Sequence, residues 1–242
     1  MRIMDNKKEL YKRNNTEEKE ILNPNLPYVI ICEGKDEYYF LISYLDYLAK
    51  NEPDFQDYCN VIDFGGIDDI NQALENLTKY RNYQAMKSFL IVRDAEKDVS
   101  AAIASLKERI SRTWQIKLDD SGAFQPTADK NKVGFFLLPG MDESKRFISG
   151  TLEDLCLDIA QDSKGPLSAK EILKQEESYL QHLIVKRGKE MIRPHKNRLH
   201  LFFASTDSLV GDKIGEAANK GAFDFSSNKL SRLRDMILQM QE

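Results

Sequence analysis

Cysteine is scarce in this chain and forms no pattern. Cys32, Cys59 and Cys156 are odd in number and widely spaced, with no Cys-x-x-Cys pair. That excludes a disulfide framework and a paired-cysteine zinc site, and leaves small buried hydrophobes. Glycine and proline are also few, 12 and 7 in 242 residues, and follow no period, so collagen-like and low-complexity architectures drop out. No apolar run approaches the roughly 18–20 residues that span a bilayer, and mean hydropathy is -0.52. The opening MRIMDNKKELYKRNNTEEKE is charged throughout and lacks an apolar h-region, unlike a secretory signal. The expectation is a cytoplasmic protein with no membrane partner. Also missing are a GxxxxGK[ST] phosphate loop, metal-ligand spacing among His182, His195 and His200, and a Ser/Cys-His nucleophile arrangement.

What is present is core material. Hydrophobic residues make up 41% and charged residues 31%, which excludes global disorder. The length favours one domain with an elaboration. Net charge is only -4, which argues against a uniform nucleic-acid coat, but the charge is unevenly spread. Residues 33–69 hold ten acidic residues against two basic ones. Residues 186–198 hold Lys186, Arg187, Lys189, Arg193, Lys196 and Arg198 against Glu190 alone. An acidic site beside a basic strip suits a metal centre serving a phosphate polymer; two solvated faces of opposite sign would also give this pattern.

Residues 1–26 are polar and read as a flexible tail. The run Pro27–Cys32 is continuous, apolar and β-branched, as in a strand buried on both faces. Residues 36–50 carry apolar side chains at helical spacing. The alternation repeats with strands over 60–64, 88–93 and 132–138 and helices over 68–81 and 99–114, while 115–131 reads as a loop or hairpin. This predicts an α/β fold with a largely parallel sheet over 27–160. Helices over 151–160, 168–183 and 230–240 predict a mostly helical C-terminal extension, 161–242, packed on the same domain; Ser168 and Glu171 suggest a capping box for the middle one.

Parallel sheets place sites outside the carboxyl ends of their strands. Two predicted strand ends carry acids: Glu33 in Glu33-Gly34-Lys35-Asp36-Glu37, and Asp94 in Asp94-Ala95-Glu96-Lys97-Asp98. Crowded carboxylates repel unless a cation neutralises them. Oxygen-only donors suit Mg²⁺, with Mn²⁺ as an alternative, rather than zinc. Asp36 and Asp98 also suit helix N-caps, and Thr151 with Asp154 suits a capping box around Glu153. A phosphoacceptor domain of response-regulator type also clusters acids at strand ends with a distant lysine.

The segments Val29–Asp36 and Phe89–Asp98 resemble the Toprim domain, whose signature is a glutamate-glycine after the first strand and an Asp-x-Asp-x-acid motif after a later one. Topoisomerases, bacterial primases, ribonucleases that mature ribosomal RNA and overcoming-lysogenization-defect nucleases share it. The middle acid here is Glu96 where the signature has aspartate. Leu137-Leu138-Pro139, Gly150–Leu155, Lys196–His200, Gly211–Gly215 and Gly221–Asp224 look like landmarks of a bacterial Toprim-like family, domain of unknown function 3226, over roughly residues 27–240. The resemblance implies a Toprim-like Rossmannoid fold and metal-dependent phosphodiester hydrolysis or related phosphotransfer on DNA or RNA. It implies Asp94, Glu96 and Asp98 as metal ligands with Glu37 joining, and Glu33 as general base or ligand. It also implies Glu153 as a further acid and Lys196 as the catalytic lysine. Lys35, Lys186, Arg187, Lys189, Arg193 and Arg198 are the expected nucleic-acid contacts. The overcoming-lysogenization-defect proteins carry an ATPase; this chain lacks room for one, and if it needs such an engine a separate polypeptide would supply it. The alternative is a non-catalytic module that keeps the fold and binds nucleic acid, nucleotide or a partner.

Overall fold

The computed structural model describes residues 22–56, 59–65, 70–162, 169–188 and 194–242. Its elements are β1 (Tyr28–Cys32), α1 (Lys35–Asn51), β2 (Cys59–Asp63), α2 (Ile70–Leu77), β3 (Ser88–Asp94), α3 (Val99–Trp114), β4 (Gln125–Pro126), β5 (Lys132–Leu138), α4 (Leu152–Asp162), α5 (Ala169–Arg187), α6 (Pro194–Ala204), α7 (Ile214–Asn219) and α8 (Ser231–Gln239). The fold is mixed α/β, with a five-stranded, mostly parallel sheet flanked by helices and a helical C-terminal part.

Strand order is β2-β1-β3-β5-β4. The first four are parallel, and β4 closes the edge antiparallel to β5; the predicted loop or hairpin over 115–131 supplies it. Every residue of β1 and β3 is buried, as continuous apolar strands covered on both faces must be. β1 is in register with β3, Tyr28 beside Ser88 and Cys32 beside Val92. From β1 the chain steps outward to β2, then returns past β1 to β3 and continues to β5. The connections therefore diverge between β1 and β3, and their carboxyl ends form the topological switch point where such sheets bind ligands.

The opposite edge is closed by the C-terminus. Tyr28, Ser88 and Lys132, the first residues of β1, β3 and β5, reach the carbonyls of Gln241 (3.2 Å), Met240 (2.6 Å) and Gln239 (2.6 Å). Met240 is fully buried. One continuous hydrophobic cluster runs from Leu22 to Met240, so the C-terminal helices share a core with the sheet. Leu22 is itself buried, and the Asn23 N–H donates to Asn60 Oδ1 at 3.2 Å. The rest of the expected tail, residues 1–21, lies outside the described residues, as does Ser168 of the expected capping box.

α6 and α7 had no counterpart in the sequence reading. α6 starts at Pro194, where proline's fixed φ suits the first helical position, and its first turns are polar. α7 is only six residues long. It presses on α1: a Cβ on Gly215 would lie 2.2 Å from Tyr39 Cβ, so only glycine allows this approach. Among the described residues, no helix is long and apolar enough to cross a membrane.

Candidate functional site

Glu33 directly follows β1, and Asp94 ends the neighbouring β3. The turn at Glu33-Gly34 starts α1, which places Asp36 and Glu37 in a first helical turn, where the helix dipole favours negative charge. A Cβ on Gly34 would lie 3.1 Å from Glu37 Oε2, so the Glu37 carboxylate lies close over this turn. Beyond Asp94 the ladder continues with the Ala95 N–H donating to the Leu138 carbonyl at 2.9 Å. Glu96 and Gly150 then exchange two backbone hydrogen bonds of 2.9 Å. Glu96 does so at φ 58, a left-handed conformation that costs a non-glycine residue roughly 1–2 kcal/mol. Gly150 has φ 138, and a Cβ there would meet Asp154 Oδ2 at 2.9 Å and Pro139 Cδ at 3.0 Å.

This clamp delivers the start of α4 to Asp94. The Leu152 N–H donates to Asp94 Oδ1 at 2.9 Å, so a strand-end acid caps a helix distant in sequence. The Thr151 N–H donates to Asp154 Oδ2 at 2.9 Å, half of the predicted capping box. Glu153, in the first turn of α4, is 6% exposed, and Lys196 Nζ from α6 stands 3.1 Å from its Oε1.

The electrostatics bind these groups together. Burial first, then the charges of Glu37, Glu153 and Glu33, push Asp94 up to about 9 against the opposing Leu152 N–H. Burial, against its own backbone N–H and with Glu33, Asp36 and Glu153 adding, raises Glu37 to about 7. Burial raises Glu33 too, against Arg93 and with help from Glu96. Asp36 is raised by burial and Glu153, while Lys196, Lys213 and His200 pull it down. Glu153 goes the other way. Burial would raise it, but the Thr151 hydroxyl, its own N–H and Lys196 outweigh burial and hold it below the ordinary value.

The expected residues thus divide. Glu33, Glu37, Asp94 and Glu153 share one neighbourhood, with Lys196 beside Glu153. Glu96 is exposed at its rim. Asp98 is exposed and caps α3, accepting from the Ala101 N–H at 2.9 Å. The residues that sequence reasoning missed are Arg93, His200 and Lys213. Arg93 ended a predicted strand between two candidate acids, and that charge at the end of an apolar run was its available signal. The cysteines are buried and form no disulfide; burial pushes Cys32 and Cys156 well above the ordinary thiol value, which makes them poor nucleophiles.

The donor type around Asp94, carboxylate oxygen, is the one a hard divalent cation takes, and Glu33 Oε2 is buried and lacks a hydrogen-bond partner. The spacing is open. Among the described residues no group of three or more His, Cys, Asp and Glu side chains is gathered closely enough to hold a metal ion.

The family described as Protein of unknown function (DUF3226) matches residues 27–241. The chain belongs to this family. No curated protein and no solved structure matches it. In this DUF3226 member the basic strip is partly engaged. Arg198 Nε lies 3.0 Å from Glu177 Oε2 and ties α6 to α5. Lys35 and Lys186 are exposed. Lys189, Arg193 and the Arg187 side chain lie outside what the structure describes.

Proposed function

We propose that this DUF3226 protein is a Toprim-like, Mg²⁺-dependent nuclease or related phosphotransfer enzyme acting on DNA or RNA. The observation that carries the reading is that Asp94, Glu37, Glu153 and Glu33 feel one another's charge near the switch point of the sheet, with Asp94 pushed up to about 9. An acid shifted this far, first by burial and then by the charges of its neighbours, is a functional-site signal, and a divalent cation is a natural neutraliser. Asp94, Glu37 and Glu153, which stand too far apart here to form a site, would have to close on Mg²⁺ or Mn²⁺, with Glu96 at the rim. When bound, such an ion polarises a phosphoryl oxygen and offsets charge there.

The protein's own groups supply the remainder. Glu33 takes a proton from the attacking water as the bond from phosphorus to the leaving oxygen breaks. Lys196 offers its ammonium to the phosphate in exchange for Glu153. Lys35, Lys186 and the basic segment up to Arg198 guide the backbone. If motor activity is needed, a separate ATPase protein provides it.

A second reading, a non-catalytic module binding nucleic acid, nucleotide or a partner, draws on the ion pairs already made by Glu153 and Glu33 with Lys196 and Arg93. A cleavage assay separates the two. Labelled DNA and RNA are incubated with Mg²⁺ or Mn²⁺, with Asp94→Asn as control. The nuclease reading expects metal-dependent products that the variant loses; equal behaviour of both proteins excludes this site.

A further inference from the structure

Arg93 takes no part in the chemistry above, yet it stands at the seam between the two strand ends. It precedes Asp94 in β3, a strand buried along its whole length, and is itself 2% exposed. The parallel register sets Cys32 beside Val92, so Glu33 and Arg93 are the next residues along the two strands. Arg93 is tied to its own strand end, where its Nε donates to the Asp94 carbonyl oxygen at 3.2 Å. Glu33 stands where β1 gives way to the turn into α1, and its side chain is 19% exposed.

The contact between the two is unusual in kind. Arg93 Nε lies 3.8 Å from Glu33 Oε2, too far for a hydrogen bond but close for opposite charges. Arg93 Nη1 and Glu33 Oε2 are both shielded from solvent and lack a hydrogen-bond partner. A purely structural pair of these groups would close into the two-pronged contact that guanidinium and carboxylate favour. Buried polar atoms without partners cost stability, and an arrangement that carries this cost is a sign of function. The guanidinium keeps its charge in proteins. It therefore holds the carboxylate by charge from a fixed point and leaves the lone pairs of Oε2 uncommitted. A general base needs such an oxygen, placed and with no hydrogen bond already spent on it.

We infer that Arg93 is the positioning residue of Glu33: fixed on β3, it holds the Glu33 carboxylate in the orientation in which Oε2 accepts a proton. This rests on the hydrolytic reading above. In that step water passes a proton to Oε2, its oxygen bonds to phosphorus, and the leaving oxygen departs with the electron pair of the bond that breaks. The test is a double-mutant cycle on the full chain. It is read in kcat and KM for Mn²⁺-dependent cleavage of labelled DNA and RNA, and in urea unfolding without metal or substrate. Glu33→Gln is expected to lose about a hundredfold or more in kcat. Arg93→Met loses about tenfold or more with KM within about twofold of wild type. Where Glu33 is already Gln, the same change removes less than about twofold further, and it lowers the urea midpoint by less than it does in wild type. Arg93→Lys keeps the charge but not the tether to the Asp94 carbonyl. It is expected to lose about threefold or more in kcat, again only while Glu33 is present, and it decides the matter if Arg93→Met does not fold. Losses that multiply, an equal fall of the midpoint in both backgrounds, full kcat in Glu33→Gln or full kcat in Arg93→Lys each overturn the inference and leave the hydrolytic reading standing. A wild type that cleaves neither nucleic acid overturns that reading and the inference with it.

Discussion

At the scale of single residues, Asp94 holds the largest electrostatic imbalance of the site. The folded chain keeps its proton up to about pH 9, whereas an unfolded aspartate releases it near about pH 4. The folded state therefore binds the extra proton between these values, and stability linked to Asp94 is lost as pH rises through that window. In EDTA, the wild-type Tm is expected to fall between pH 6 and pH 9 more steeply than that of Asp94→Asn, which keeps the Oδ1 acceptor for Leu152. Parallel melting curves across pH would contradict the assignment. Gly34 offers a milder probe. An added Cβ would press on the far end of Glu37 at 3.1 Å, which a flexible side chain absorbs. Gly34→Ala is expected to stay within about 1 kcal/mol of wild type in urea unfolding. Its metal-dependent cleavage should fall roughly ten- to hundredfold, because small displacements of reacting groups are costly. Glu33 and Asp94 were legible in the sequence because each ends an apolar run. The cap from Asp94 to Leu152 and the pairing of Arg93 with Glu33 were not, because the first depends on the clamp between Glu96 and Gly150 and the second on the register of β1 with β3.

At the scale of elements, β1, β3 and β5 were readable because buried parallel strands leave continuous apolar runs, and α1 and α3 because their buried faces repeat at helical spacing. α6 escaped because it opens with Pro194-His195-Lys196-Asn197-Arg198, whose charge hides the apolar face formed by Leu199, Phe202 and Phe203. α7 escaped because it is short and carries Gly215, normally a helix breaker. That glycine is instead a packing requirement. The 2.2 Å approach to Tyr39 Cβ involves an atom next to the backbone, so α7 must move off α1 to admit a side chain. Gly215→Ala is expected to cost about 1–3 kcal/mol in urea unfolding; an unchanged midpoint would show that α7 does not pack this way. Such a shift also draws Lys213 away from Asp36, at the edge of the site.

Across the whole molecule the two ends of the sheet have different work. The amino edge is sealed by Gln239, Met240 and Gln241, whose carbonyls accept from the first residues of three strands. The carboxyl edge gathers the acids. Met240→Ala empties a fully buried position and is expected to cost about 2–5 kcal/mol. It should leave the turnover rate unchanged at temperatures where the variant is folded, since it lies at the far end of the strands; a lost rate with full folding would show the two edges to be coupled. The most direct test of the account is the anomalous scattering of a crystal soaked in Mn²⁺. A manganese peak is expected among the carboxylates of Asp94, Glu37 and Glu153, drawn together around it. A saturated crystal with manganese only elsewhere, and these three carboxylates unliganded, would contradict it.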